Sequence, residues 1–243
     1  MGNSGKMFCG FAAKALLQHT GAVAVFCPEY RLSGYGKNPF PAALQDIIAA
    51  YSYLTETLQV PATSVAVGGD SAGGNLTIAF LRYLEEHNTR IKPPSYAFLC
   101  SPWVEPVESL HPTCSYQARK NYATDYVAMP FLQVGASTYA PDGPNDEAPD
   151  RYISALGHPF RTSIPLFASF GEGEILGPGV VAWAEEMRAV RANEVQLYCE
   201  KNAPHDTVSN DLMYQNFSLE FYAVVKSWLQ KASRETRFFE VYP

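Results

Sequence analysis

Gly69-Asp70-Ser71-Ala72-Gly73, followed by Gly74, is where the chain concentrates its chemistry. The string fits G-x-S-x-G, in which a serine on a tight strand-to-helix turn acts as a nucleophile. The context fits as well, because a short apolar run (Ser64 to Val67) precedes it and an apolar helical stretch from Ala72 to about Glu86 follows. Such a turn forces the serine into a strained backbone conformation, and Gly69 and Gly73 are expected to lack side chains because strand and helix cross closely there. At the helix N-terminus, backbone N–H groups and the positive dipole end favour a developing anion, with the Ala72 N–H as the expected donor. A phosphate loop would want a lysine after the glycines, where Asn75-Leu76 stands, and the glycine spacing does not fit a dinucleotide fingerprint.

A serine needs a base, and the base needs an orienting acid. On a serine-first topology the order is serine, acid, histidine. Of the five histidines, His19 precedes Ser71, His87 ends the following helix, and His111 and His158 flank prolines in an irregular region. His205 follows the last expected strand, in Asn202-Ala203-Pro204-His205-Asp206, where an α/β sheet places its ligands. The acid belongs after the strand ending at Phe170, in Gly171-Glu172-Gly173-Glu174-Ile175-Leu176. Position alone leaves Glu172 and Glu174 both open, and Asp206 reads as a solvated or capping residue.

These residues need a scaffold of βα units. The chain has 243 residues, enough for one large α/β domain. Helices are expected over Met7 to His19, from Pro41 through Leu54, over Val180 to Val190, and from about Asp211 to Gln230. Strands are expected at Ala22 to Cys27, Ser64 to Val67, Tyr96 to Cys100, Leu166 to Phe170 and Val195 to Tyr198. Alternation of this kind implies a mostly parallel sheet flanked by helices. Periodicity fades between about 104 and 160, a length of connection that is functional or carries its own helices. Its aromatic stretch from Tyr116 to Tyr139 reads either as a cap over a pocket or as core filling.

A net charge of −6 argues against nucleic acid, whose phosphates want a basic face. No apolar run reaches membrane-span length and no signal peptide is visible, so the default expectation is a cytoplasmic protein. The five cysteines, Cys9, Cys27, Cys100, Cys114 and Cys199, are odd in number and not closely paired. Buried reduced thiols are therefore expected, rather than a disulfide framework or a zinc site.

With these residues in view, the chain resembles the hormone-sensitive-lipase-like family of α/β-hydrolases, which includes arylacetamide deacetylases and microbial esterases. The resemblance rests on Gly69-Asp70-Ser71-Ala72-Gly73-Gly74-Asn75, Tyr30-Arg31-Leu32, Pro39-Phe40-Pro41-Ala42-Ala43-Leu44-Gln45-Asp46, Ser101-Pro102-Trp103-Val104 and Tyr152-Ile153-Ser154-Ala155-Leu156. It implies an α/β-hydrolase fold in a single domain over 1–243, with 104–160 as a cap or insert. It places the family's acid on Glu174 and its histidine on His205. It implies a Ser-His-Glu carboxylesterase that cleaves small or medium acyl esters through an acyl-enzyme, with no metal or cofactor. The family also carries His-Gly-Gly-Gly upstream of the nucleophile, to complete the oxyanion hole. This sequence has no such motif, and Met1-Gly2-Asn3-Ser4 resembles the residues just after it. The expectation is therefore that the N-terminal strands are missing. That would leave a gap between the Ala22 to Cys27 and Ser64 to Val67 strands, or force them together. Three readings follow: a competent esterase, a truncated homologue with an impaired oxyanion hole, and a ligand-binding protein on a hydrolase scaffold. An exposed sheet edge would also invite self-association into a homo-oligomer.

Overall fold

The computed structural model describes residues 13–34, 36–87, 90–140, 150–208, 222–227 and 230. Contacts divide the chain into two bodies, Pro28–Asp206 on one hand and Met1–Cys27 with Thr207–Pro243 on the other. In the smaller body, α1 occupies 13–19, and the ring of His19 stacks on Tyr222 with centroids 5.4 Å apart. The rest of the helix expected from Met7, most of the one expected from Asp211, and Met1 to Ser4 lie outside the described residues.

The larger body is built of βα units. In order it contains α2 (Ala42–Ser52), β1 (Ala66–Asp70), α3 (Ser71–Glu86), β2 (Tyr96–Cys100), α4 (Met129–Tyr139), α5 (Asp150–Ile153), β3 (Leu166–Gly171), α6 (Gly177–Ala189) and β4 (Val195–Glu200). The four strands form one parallel sheet in the order β1-β2-β3-β4. Its register aligns Asp70 with Cys100, Cys100 with Ser169, and Gly171 with Glu200, so every strand delivers its following loop to the same edge.

Burial explains the elements. Residues Gly74 to Arg82 of α3 are buried without interruption, which suits a helix apolar nearly all round and packed centrally on a sheet. Ile78, Ala79, Phe80 and Leu81 join Leu99, Leu166, Ala168 and Trp183 in the main core. The 104–160 region carries its own short helices, as its length requires. There Tyr116 is fully buried and packs with Trp103, Val127, Met129, Leu132, Ile175 and Leu176, which makes this tyrosine core filling. By contrast Tyr122, Tyr126, Phe131 and Val134 are exposed.

Three expectations need correction. No strand forms at Ala22 to Cys27, where Val23 is 98% exposed. An apolar run becomes a buried strand only with a ladder partner and cover on both faces, and this run has no place in the sheet. The strand expected at Ser64 to Val67 lies at Ala66–Asp70, because Ser64 ends a 3₁₀ turn. Finally, Cys27 is disulfide-bonded and Cys199 is exposed, whereas Cys100 is a free, buried thiol as expected.

Candidate active site

No residue separates β1 from α3, so Asp70 ends the strand and Ser71 opens the helix. Ser71 sits at φ +50°, the left-handed region that a non-glycine residue adopts only under constraint. The constraint is visible on both sides. A Cβ on Gly69 would come within 2.4 Å of the Gly73 carbonyl group, and one on Gly74 within 2.8 Å of Pro102. The Trp103 N–H donates to the Ser71 carbonyl at 3.0 Å, tying the turn to the exit of β2. Asn75 extends this tie, its Nδ2 donating to the carbonyls of Trp103 at 2.9 Å and Ile153 at 2.6 Å. The expectation for Gly73 was too strict, because a Cβ there would meet only the Tyr30 hydroxyl, at 3.9 Å. Gly69→Ala is therefore expected to lower stability by about 1–3 kcal/mol through overpacking. Gly73→Ala should change it by less than about 1 kcal/mol, and thermal denaturation of the two variants checks the contrast.

Around Ser71 the helix geometry supplies donors. The first N–H groups of α3, Ala72 among them, have no intrahelical acceptor and carry the positive end of the dipole. Asp70 is exposed beside them. Burial, followed by the Asp70 charge, pushes the Tyr30 phenol up.

The loop after β3 and the loop after β4 meet at the same sheet edge. Glu172 N–H donates to the Glu200 carbonyl at 2.9 Å and Gly173 N–H to the Ala203 carbonyl at 2.8 Å. A Cβ on Gly171 would collide with the carbonyls of Pro204 and Ala203, so close approach of the two loops requires glycine there. On this frame Glu174 Oε2 lies 2.6 Å from His205 Nδ1. Both side chains are buried, at 1% and 4% exposure for the residues. Glu172, the other carboxylate left open by position, instead accepts the Asn202 N–H at 3.0 Å from the solvent side.

The electrostatics of the pair run both ways. Burial alone would lower the His205 imidazole; the hydrogen bond and charge of Glu174, with the charges of Asp206 and Asp125, outweigh it and hold the imidazole above its ordinary value. Burial pushes the Glu174 carboxyl up, opposed by its bonds to His205 and Ser101. Ser101, buried and at φ +44°, follows the end of β2, and its Oγ accepts the Asp206 N–H at 3.1 Å. Asp206 is itself buried at φ +51°, which corrects its reading as a solvated residue. The neighbouring Cys100 thiol is pushed up by burial and then by Asp206 and Asp70.

The remaining histidines have other surroundings. His87 stacks on Tyr83, His158 Nδ1 lies 3.0 Å from the Ser154 carbonyl, and His111 closes a 3₁₀ turn at the surface. Among the described residues no group of three His, Cys, Asp or Glu could hold a metal ion. Nor is any described helix long and apolar enough to cross a membrane.

Sequence reasoning passed over Ser101, Asn121, Asp125 and Tyr126. Ser101 stood inside a quoted motif without a role. The other three lie in the 104–160 region, where Asn121 Nδ2 donates to the Glu172 carbonyl, Asp125 Oδ2 accepts the Ile175 N–H, and the Tyr126 hydroxyl donates to the His205 carbonyl.

Residues 10–209 match the family model described as alpha/beta hydrolase fold, and the chain belongs to that family. Among its relatives, an acetyl-hydrolase of Streptomyces hygroscopicus is 41% identical over 69 residues, 28% of this chain and 22% of that protein. The putative acetyl-hydrolase LipR of Mycobacterium tuberculosis (strain ATCC 25618 / H37Rv) is 30% identical over 102 residues, 42% of this chain and 31% of that protein. The chain thus spans under a third of the length of either relative. The esterase EstE5 superposes with a TM-score of 0.76 at 21% identity, covering 91% of this chain and 69% of that one. An esterase of the bacterial hormone-sensitive lipase family superposes at 0.69 with 26% identity, covering 84% and 64%.

Proposed function

We propose that the protein is a serine carboxylester hydrolase in which Ser71 is the nucleophile, His205 the general base and Glu174 the acid that orients it. The observation that carries this reading is the buried 2.6 Å Glu174–His205 contact, formed at the sheet edge where β1 presents Ser71 at positive φ. His205 takes the Ser71 proton as Ser71 attacks the ester carbonyl, and Glu174 stabilises the resulting imidazolium. The tetrahedral anion is met by the Ala72 N–H and the N-terminal dipole of α3. The alcohol leaves with the proton from His205, and water then releases the acyl group by the same roles reversed. The body Pro28–Asp206 holds all three residues. The chain is taken to act as one hydrolase domain, with 104–160 as its cap. The two acetyl-hydrolase relatives favour a short acyl group as substrate.

Hydrolysis of p-nitrophenyl acetate, butyrate and decanoate by the purified chain tests the reading. Turnover is expected on the two shorter esters, with a decline at ten carbons. A folded chain that turns over none of them sinks the esterase reading and favours a non-catalytic, ligand-binding hydrolase homologue.

A further inference from the structure

The loop that carries Glu174 is held both by its ties to the sheet and by a segment some fifty residues earlier in sequence. On the sheet side Glu174 N–H donates to the Gly171 carbonyl, alongside the ties to β4 described above. The segment between Arg119 and Tyr126 binds the same loop at several points. Arg119 donates through one terminal nitrogen to the Ile175 carbonyl at 2.9 Å, while the other lies 2.7 Å from Glu105. Asn121 Nδ2 donates to the Glu172 carbonyl at 2.8 Å and points to the Glu174 carbonyl at 3.4 Å. Asp125 uses both oxygens, Oδ2 accepting from the Ile175 N–H and Oδ1 from the Val127 N–H at 3.0 Å. Tyr126 then reaches the other loop, its hydroxyl donating to the His205 carbonyl at 2.9 Å.

These contacts share a target. Three carbonyls and one N–H of the stretch Glu172–Ile175 are bound by the segment, and the next residue binds the backbone of the histidine. Isolated surface contacts would scatter over the molecule. A loop of the sequence Gly171-Glu172-Gly173-Glu174 has little stiffness of its own, because its glycines leave the backbone free. A side chain held by one hydrogen bond on such a loop would wander unless the backbone beneath it were fixed, and misplacement by about 1 Å can cost on the order of 10²-fold in rate.

We infer that Asn121, Asp125 and Tyr126 are positioning residues for the Glu174–His205 pair, so that the 119–126 segment braces the acid and base loops together. None of the three touches the reacting atoms. Asn121 and Asp125 act through the backbone that sets where the Glu174 carboxylate sits, and Tyr126 through that of His205. Asp125 also adds a fixed negative charge near both members of the pair. The inference rests on the triad proposed above, yet it concerns a geometry that can be read without turnover.

The test compares Asn121→Ala, Asp125→Asn and Tyr126→Phe with wild type and with Gln117→Ala, an exposed neighbour outside the brace. Three quantities are read: folding by thermal denaturation, kcat and KM on p-nitrophenyl butyrate, and the titration midpoint of His205 by NMR of ¹³C-labelled histidine. His205→Gln assigns the resonance. The expected result is that Asn121→Ala and Asp125→Asn lower kcat by about 10- to 100-fold with KM within about twofold. They should also move the His205 midpoint downward, because the imidazole loses part of its contact with negative charge. Tyr126→Phe should do the same to a smaller degree, and Gln117→Ala should match wild type. Folded variants with wild-type kcat and an unmoved midpoint overturn the inference. A wild-type chain without turnover removes the esterase reading alone. The midpoints then decide the brace by themselves, a downward shift supporting it and no shift overturning it. Tyr126→Phe, a deletion at an exposed side chain, keeps the test open should the other two fail to fold.

Discussion

Ser71→Ala is expected to reduce hydrolysis of p-nitrophenyl acetate and butyrate to the level of buffer, a fall of at least about 10⁴-fold in kcat. The loss should be that large because Ser71 is the only serine at the strand-to-helix turn, and its φ of +50° is imposed by the turn and not by its own side chain. Alanine at the same φ carries the same backbone strain, so the variant should unfold within a few degrees of wild type. Loss of activity then reports on chemistry and not on folding. Substrate affinity should survive, since the hydroxyl contributes little before it attacks. The measurement is a kinetic comparison of the two purified proteins beside their melting curves. A variant that keeps wild-type rates would show that hydrolysis comes from another group.

Much of this site could be read before any coordinates, and the reasons differ from residue to residue. The elbow is legible because steric demand writes itself into sequence: Gly69 and Gly74 are glycines since a Cβ would collide with Gly73 or Pro102. His205 is legible by its place after the last strand. Position leaves Glu174 and Glu172 both open and only the family resemblance prefers Glu174; in the structure the Glu174 carboxylate lies against His205 Nδ1, while that of Glu172 accepts the Asn202 N–H. The strand misread at Ala22 to Cys27 shows the limit of hydrophobic runs. A run states that a segment is apolar, whereas strand formation depends on a partner that the run does not name. Ser101, Asn121 and Asp125 were hidden for a different reason. The bonds of Asn121 and Asp125 to the acid loop span 51 and 50 residues, from a stretch where periodicity is lost. The positive φ of Ser101 leaves no mark in composition. Local rules recover what local sterics demand, and contacts that join distant loops become visible only in three dimensions.

Replacing Glu174 by glutamine should separate orientation from charge. The amide is nearly the shape of the carboxylate, so the buried site is still filled. It can accept a hydrogen bond from His205 Nδ1 through its oxygen, but it brings no negative charge and can instead present its NH₂, stabilising the wrong tautomer of the imidazole. Activity is expected to fall by about 10³- to 10⁴-fold in kcat. The pH dependence should move as well. In the wild type, burial works to lower the imidazole, but Glu174, Asp206 and Asp125 hold it above its ordinary 6.5. The neutral, basic form therefore appears only as pH rises through that raised value, and the acid limb of kcat/KM should have its midpoint above 6.5. Removing the Glu174 charge weakens its hydrogen bond to the ring, the largest of the opposing causes, and abolishes its coulombic attraction, which leaves burial less opposed. The limb should shift toward lower pH even as the plateau drops. The measurement is a kcat/KM profile on p-nitrophenyl butyrate from about pH 5 to 9 for both proteins. Asp125→Asn should give a smaller shift in the same direction with a smaller loss of rate, because Asp125 touches the Ile175 backbone while Glu174 touches the ring. A Glu174→Gln profile that falls in height but keeps its midpoint would mean that His205 owes its titration to Asp206 and Asp125 and not to the residue it touches. The acid's contribution would then be orientation alone.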